Sequence, residues 1–227
     1  MKNTKDNIKF SIIAADVVLF TVRDNTLFVR LSKVDRPPHF PGIPGIPGGL
    51  ISPTETAEEA VERLISEKAG IDSSKVYYEQ LYTFSGVNRD PRGRVVSVAY
   101  IALIPWEALS RNEQTDTKNL WWESAHKTPK LAYDHDSVLS VAIKRLRFQI
   151  VHTTISSKLV TKEFTLTHLE KICETILAKQ IDKRNFRKKL LSLKVVKKQD
   201  RQLRGVKHRP ANLYSFTSSK IKDLTVI

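Results

Sequence analysis

Cysteine is almost absent from this 227-residue chain: Cys173 stands alone, so no intramolecular disulfide framework can form. A reducing compartment fits that usage, with the thiol expected in a helix core. A membrane span is missing as well. The apolar run Ile12 to Val22 is interrupted by Asp16 and falls short of the roughly 20 residues a bilayer requires. It reads as a strand. Met1 to Asn7 is polar and carries no secretory pattern, which makes the cytoplasm the expected compartment. No internal repeat is apparent. Acidic residues are scarce in one region only: residues 153–227 hold 18 Lys and Arg against 6 Asp and Glu, a net of +12. Residues 1–152 carry 20 against 18, a net of +2. The overall +14 therefore belongs mainly to the last third, which calls for a polyanionic partner there. The length suffices for one large or two small domains with real cores.

Ile12 to Phe20 and Leu27 to Leu31 are β-rich and flank Asp24-Asn25, which predicts a hairpin. Residues 35–49 contain Pro37, Pro38, Pro41, Pro44 and Pro47 with Gly42, Gly45, Gly48 and Gly49. That density predicts an irregular loop at the edge of a site. Thr54 to Ala69 follows as a helix closed by Gly70. Val76 to Phe84 and Arg94 to Ile104 are the next strands, the second apolar on both faces and so internal to a sheet. Trp121-Trp122 reads as a further strand. His135 to His152 reads as a long helix, with Val138, Val141, Ala142, Arg145 and Leu146 at helical spacing.

One spacing carries chemistry. Gly49, Glu55, Arg63, Glu67, Gly70 and Ile71 fall on G-x5-E-x7-R-E-U-x-E-E-x-G-U, with U apolar, the Nudix box. In that pattern, glutamates on one helix face hold the divalent ions that neutralise a diphosphate under attack. Here the three glutamate places read Leu64, Glu67 and Lys68, so one ligand is apolar and another is a cation. Catalysis is expected to be lost, and no bound metal or cofactor is expected. Glu55, Glu58, Glu59 and Glu62 are the carboxylates from which weak residual hydrolysis could still draw; otherwise they are a solvated helix face. Between the two later strands lies Arg89-Asp90-Pro91-Arg92-Gly93-Arg94, either a solvated hairpin tip or a loop for bidentate capture of phosphate.

The basic third has a pattern of its own. Thr167 is the expected N-cap of a helix burying Leu169, Ile172, Cys173, Ile176 and Leu177. Gln180-Ile181 makes a turn, and Asp182 caps a second helix, Lys183 to Leu193, with Phe186, Leu190 and Leu193 along its inner stripe. Arg184 and Lys188 point away from that stripe, flanked by Asn185 and Arg187. Such a face is either a solvated basic helix or a major-groove reader. Lys194 to Lys198 and Ala211 to Phe216 then read as two strands around a loop, residues 199–210, carrying Arg201, Arg204, Lys207, His208 and Arg209. The whole is a winged helix-turn-helix by pattern, with the wing's cations set for phosphates.

On the degenerate box, on residues 89–100 as a central strand entry, on Phe186-Arg187-Lys188-Lys189-Leu190 and on Arg209-Pro210-Ala211-Asn212-Leu213-Tyr214, the chain resembles the Nudix-related transcriptional regulators, the NrtR family. The resemblance implies an α/β fold: a Nudix-like mixed-sheet α/β/α sandwich over residues 1–152, then a winged helix-turn-helix over residues 153–227. It implies a homodimeric repressor of NAD-metabolism genes that binds a palindromic double-stranded DNA operator and is released by ADP-ribose. The effector site would comprise Glu67, Lys68, Arg89, Arg92 and Arg94. The DNA-binding set would comprise Arg184, Asn185, Arg187, Lys188, Lys207, His208 and Arg209. Alternatives are a sugar-responsive regulator of arabinose type, a weak ADP-ribose pyrophosphatase, and a nonspecific nucleic-acid-binding protein.

Overall fold

Strand β1 (Ile12–Arg23) decides the architecture, because its two faces feed different cores. Val18, Phe20 and Val22 enter one apolar cluster, whereas Ala15, Val17 and Leu19 enter another. A strand buried on both sides needs a layer on each. The computed structural model, which describes residues 10–203, 211–223 and 227, supplies them. Helix α1 (Ala57–Glu67) covers the second cluster with Val61, Leu64 and Ile65, and helix α3 (His135–His152) covers the first with Val138, Leu139, Ala142, Leu146 and Ile150. Each of these Val, Leu and Ile side chains contributes roughly 1.5–3 kcal/mol by leaving water.

The sheet itself is mixed. Strand β2 (Thr26–Arg36) pairs antiparallel with β1 through the Asp24-Asn25 turn, both residues of which adopt left-handed φ values of 48° and 56°. This is the primed turn that matches strand twist. Strands β3 (Phe40–Gly45), β4 (Gly48–Leu50), β5 (Tyr77–Phe84), β6 (Val95–Leu103) and β7 (Leu120–Ser124) complete seven strands, with the path β3-β2-β1-β6-β5. Only β1 and β6 run parallel, and β4 and β7 pair off the path with β1 and β2. A short helix α2 (Arg111–Gln114) precedes β7.

Several local expectations are corrected. The proline-rich residues 35–49 are not an irregular loop but contain β3 and β4. Strand β3 lies at the sheet edge, where Pro41 and Pro44 need no donor on the outer side, and a register shift at Val34/Asp35 absorbs the mismatch. Helix α1 starts at Ala57, not Thr54, because Thr56 forms a capping box with Glu59; Lys68 is its C-cap, and Gly70 (φ 67°) turns the chain two residues later. In the basic third, helix α4 (Leu166–Leu177) is capped by Thr165 rather than Thr167, since the Thr165 hydroxyl accepts the His168 N–H.

Helix α5 (Lys183–Ser192) begins at Asp182, whose carboxylate accepts the Asn185 N–H. Phe186 and Leu190 are buried beneath it, but Leu193, expected on the same stripe, is 41% exposed because the helix ends one residue before it. Strands β8 (Val196–Leu203) and β9 (Ala211–Phe216) form an antiparallel ribbon; β8 continues past Lys198, so Arg201 lies in a strand rather than in the expected loop. Arg204, Lys207, His208 and Arg209 lie outside the described residues.

Helix α3 ends at His152, yet the apolar cluster does not end with it. Leu146 and Ile150 join Ile155, Leu159, Leu169, Ile172, Cys173 and Ile176 in the cluster that also contains Val18 and Phe20. The Arg147 Nε donates to the Ile176 carbonyl at 2.9 Å, fixing α3 to the end of α4. No helix among the described residues is long and apolar enough to cross a membrane.

Candidate functional site

A cavity of about 340 Å3 opens where β1, β2, β4, the Arg89–Arg92 loop and the start of α3 converge. Pockets of roughly 300–1,000 Å3 are the usual size for small ligands. Its wall carries Lys33, Arg36, Lys68, Arg89 and Arg92 against Asp16, Asp35 and Asp90. Two of those carboxylates are already neutralised from within. Asp90 receives the Arg92 guanidinium at 2.7 and 3.0 Å, and Asp16 receives that of Arg89 at 3.1 Å. The remaining balance favours an anion.

Asp16 anchors the floor. The Ser97 hydroxyl donates to it at 2.6 Å, and His135 Nε2 stands 3.5 Å from its other oxygen. His135 Nδ1 accepts the Ile46 N–H at 2.9 Å, so a neutral ring carries its proton on the nitrogen facing Asp16. Burial alone would push the Asp16 carboxyl up. His135, Ser97 and Arg89 outweigh it and bring it down to about 2. Arg89, only 5% exposed, also donates to both oxygens of Asp134 at 2.7 and 3.0 Å. Although burial works against its charge, these carboxylates hold the Arg89 pKa above its ordinary value. Asp134 precedes α3 but does not cap it with its side chain, which is turned to Arg89 instead.

Beside this floor, Tyr133 (φ 55°) presents its ring 4.3 Å from that of Phe40, with Arg92 at 5.5 Å. The two rings are tilted by 50°, and Tyr133, which lines the cavity, offers an aromatic face for stacking a planar ring beside the Arg92 guanidinium. Glycine makes the roof possible. A Cβ on Gly48 would lie 2.2 Å from the Asp16 carboxylate, and one on Gly49 would lie 2.9 Å from Leu64.

The box residues fall into two groups. Glu55 and Arg63 form a bidentate pair at 2.6 and 3.0 Å, and Arg63 also donates to the Leu50 carbonyl. Arg63, aided by the Ser52 N–H, brings the Glu55 carboxyl down to about 2. This pair clamps the loop between β4 and α1. Leu64 is fully buried under Gly49, Lys68 lines the cavity, and Glu67 is 59% exposed, facing Arg63 at 3.7 Å. The divalent ion of a working Nudix box does not fit these residues, because one ligand place is core hydrocarbon, one is an ammonium group and one is turned to an arginine. No group of three or more His, Cys, Asp or Glu suited to a metal occurs among the described residues.

Of the expected effector residues, Lys68, Arg89 and Arg92 line the cavity, and Glu67 and Arg94 do not. Arg94 instead donates to the Ser85 and Gly86 carbonyls at 3.0 and 3.1 Å, bracing its own loop. Asp16, Tyr133, Asp134 and His135 were missed. The available signal was Asp16 itself, an aspartate inside an otherwise apolar strand.

On the basic third, Arg184 and Lys188 are exposed on the outer face of α5. Asn185 is engaged by its own cap, its amide donating to Asp182 at 3.0 Å. Arg187 turns inward and donates to Thr167 at 2.9 Å and to Glu170 at 3.4 Å. The last two were expected on the DNA-facing surface; their side chains have partners within the protein.

A Nudix-type sheet with an anion-suited cavity, joined through one helix to a winged helix, defines a class of ligand-sensing regulators. Residues 11–141 match the NUDIX domain family, and residues 157–216 match the NrtR DNA-binding winged helix domain. An "ADPR responsive transcriptional repressor NtrR" of Acinetobacter baylyi is 32% identical over 216 residues, 93% of this chain and 84% of the relative. The crystal structure of Shewanella oneidensis NrtR complexed with a 27mer DNA superposes with a TM-score of 0.79 at 30% identity, over 90% of this chain and 93% of that one. The NUDIX domain of the same protein complexed with ADP ribose matches with a TM-score of 0.51 at 34% identity, over 61% of this chain and 90% of that one. An ADP-ribose pyrophosphatase of Methanocaldococcus jannaschii is 36% identical over 100 residues, 44% of this chain and 57% of the relative. The chain belongs to the NrtR family of Nudix-related transcriptional regulators.

Proposed function

We propose that this protein is a homodimeric transcriptional repressor whose winged helix, residues 153–227, holds a palindromic operator. ADP-ribose, or a related nucleotide sugar, is its effector and enters the cavity of residues 1–152. Genes of NAD metabolism are its targets. The observation that carries this reading is helix α3, which begins with His135 on the cavity floor and, through Leu146, Ile150 and Arg147, ends against α4. A diphosphate drawn to Lys68 and Arg92 competes with Asp134 for Arg89, and the helix start shifts as that grip loosens. The two DNA-reading helices of the dimer then no longer match their half-sites. Release requires the effector to prefer the shifted geometry, since a ligand with equal affinity for both would change nothing. Within α5, Arg184 and Lys188 address the bases, and the cations of the wing address phosphates.

Hydrolysis is not the task of this box, because Leu64 and Lys68 replace two metal ligands and Glu67 faces Arg63. The test uses the full chain and the duplex it enriches from a random pool. ADP-ribose is expected to release that duplex without being consumed, with or without Mg2+. Turnover that disappears in Glu67→Ala, with no effect on DNA, would instead make the protein a hydrolase like its pyrophosphatase relative.

A further inference from the structure

The most deeply buried carboxylate of the DNA-binding half is Glu170, on α4, with 0% exposure. Two cations of α5, one turn apart, converge on it: Lys183 Nζ at 3.2 Å from one oxygen and Arg187 Nη2 at 3.4 Å from the other. Both cations keep contact with solvent, at 67% and 42% exposure. A buried carboxylate demands such compensation, and with two cations at hand the loss of one still leaves it a partner. The same geometry has a second consequence for the surface, because the N-terminal turns of a reading helix are the part that approaches the groove.

We infer that Glu170 is a specificity-setting residue, an internal anion that withholds Lys183 and Arg187 from DNA phosphates and leaves Arg184 and Lys188 as the reading face. The inference rests on α5 being the reading helix. Phosphate contacts raise affinity for every sequence alike, whereas base contacts discriminate. Holding two cations on an internal partner therefore lowers nonspecific affinity while fixing the rotation of α5 on α4. Thr167, which accepts a hydrogen bond from Arg187 at 2.9 Å, adds a neutral restraint to the same side chain. Glu170 touches no DNA in this arrangement; it acts by holding its partners.

The experiment measures binding of the full chain to a mixed-sequence duplex, and to the duplex the wild-type protein enriches from a random pool, across salt concentrations. Glu170→Gln keeps the side chain's shape and removes its charge. It is expected to steepen the salt slope on the mixed duplex by between about 1 and 2, as up to two freed cations reach phosphates. Nonspecific affinity at low salt should rise about tenfold, and the ratio of enriched to mixed duplex should fall. A merely structural role predicts weaker binding to both. Arg187→Gln alone should leave the slope unchanged, and Glu170→Gln/Arg187→Gln should lose about one phosphate contact relative to Glu170→Gln. An unchanged slope in folded Glu170→Gln overturns the inference. So does a shallower slope in Arg187→Gln, which also decides the matter should Glu170→Gln fail to fold. If Arg184→Ala binds both duplexes as the wild type does, the assignment of α5 as the reading helix fails separately.

Discussion

Arg89 holds Asp134 by two hydrogen bonds of 2.7 and 3.0 Å, and Asp134 is the last residue before helix α3. A pocket arginine thus has its grip on the end of the element that reaches the winged helix. Asp134→Asn weakens that grip while leaving the pocket cations in place. Because it weakens the carboxylate that competes with the effector for Arg89 and loosens the helix start, it is expected to bind the enriched duplex more weakly than wild type and to require about tenfold less ADP-ribose for release. Fluorescence polarisation of labelled duplex, titrated with effector, measures both quantities. An unaltered effector response would separate Arg89 from signalling.

Lys68 and Leu64 occupy equivalent losses in the box but should fail differently when reversed. Lys68→Glu places a carboxylate on the cavity wall and is expected to weaken ADP-ribose about tenfold with little change in melting temperature, as one favourable charge becomes an unfavourable one. Leu64→Glu forces a carboxylate into the core under Gly49 and is expected to destabilise by about 3 kcal/mol or more. Calorimetric titration and thermal unfolding of both variants distinguish pocket from core. Equal destabilisation by the two would contradict the placement of Lys68.

The acid limb of stability should carry the mark of Asp16. Its carboxyl lies at 3.8 when unperturbed and about 2 in the fold, where His135, Ser97 and Arg89 outweigh burial. The ionised form is therefore the one the native state prefers. Its contribution is complete above about pH 4 and is lost as pH falls toward 2; the gap corresponds to about 2 kcal/mol. Asp16→Asn is expected to be less stable than wild type near neutrality and to converge with it in strong acid. Urea unfolding at several pH values gives the difference, and a constant offset down to pH 2 would exclude this origin.

Helix and wing should give different signatures in DNA binding. Arg184→Ala or Lys188→Ala is expected to relax preference at particular operator positions by about 1–3 kcal/mol. Lys207→Ala or Arg209→Ala should weaken all duplexes evenly and shallow the salt slope by about 1 each. Selection from random pools, followed by salt titration, compares them. Uniform losses in both pairs would leave no reading helix.

What the sequence made legible was whatever depended on local spacing. Helix α3 coincides with the expected His135–His152 because its apolar positions repeat at helical spacing, and Asp182 caps α5 as its position after a turn required. The Asp24-Asn25 hairpin was equally local. Strand β3 was illegible because prolines forbid a strand only where both edges are paired, and edge position is a property of the completed sheet; β4, the three residues Gly48–Leu50, is too short to show an alternation. The pocket was half legible. Lys68, Arg89 and Arg92 followed from motifs, but Arg94 and Glu67 sit on the same segments and point elsewhere, which spacing alone does not encode. His135 reaches the cavity wall, and Asp134 reaches Arg89, only because the start of α3 abuts β1, more than 100 residues earlier in the chain, and the Arg89 loop. Arg187 reads as a surface cation until Glu170, on another helix, is found beneath it.

The apolar cluster that passes from β1 through α3 into α4 and α5 has a bearing on how such a regulator can be rebuilt. A sensor and a reader joined by a linker can be exchanged like cassettes. Here a cut after His152 strips one wall from both halves, leaving Leu146 and Ile150 bare on one fragment and Ile155, Leu169 and Ile172 bare on the other. Grafting this pocket onto another DNA-binding unit therefore means transplanting α3 together with its matching α4 face, a single seam that has to be carried whole.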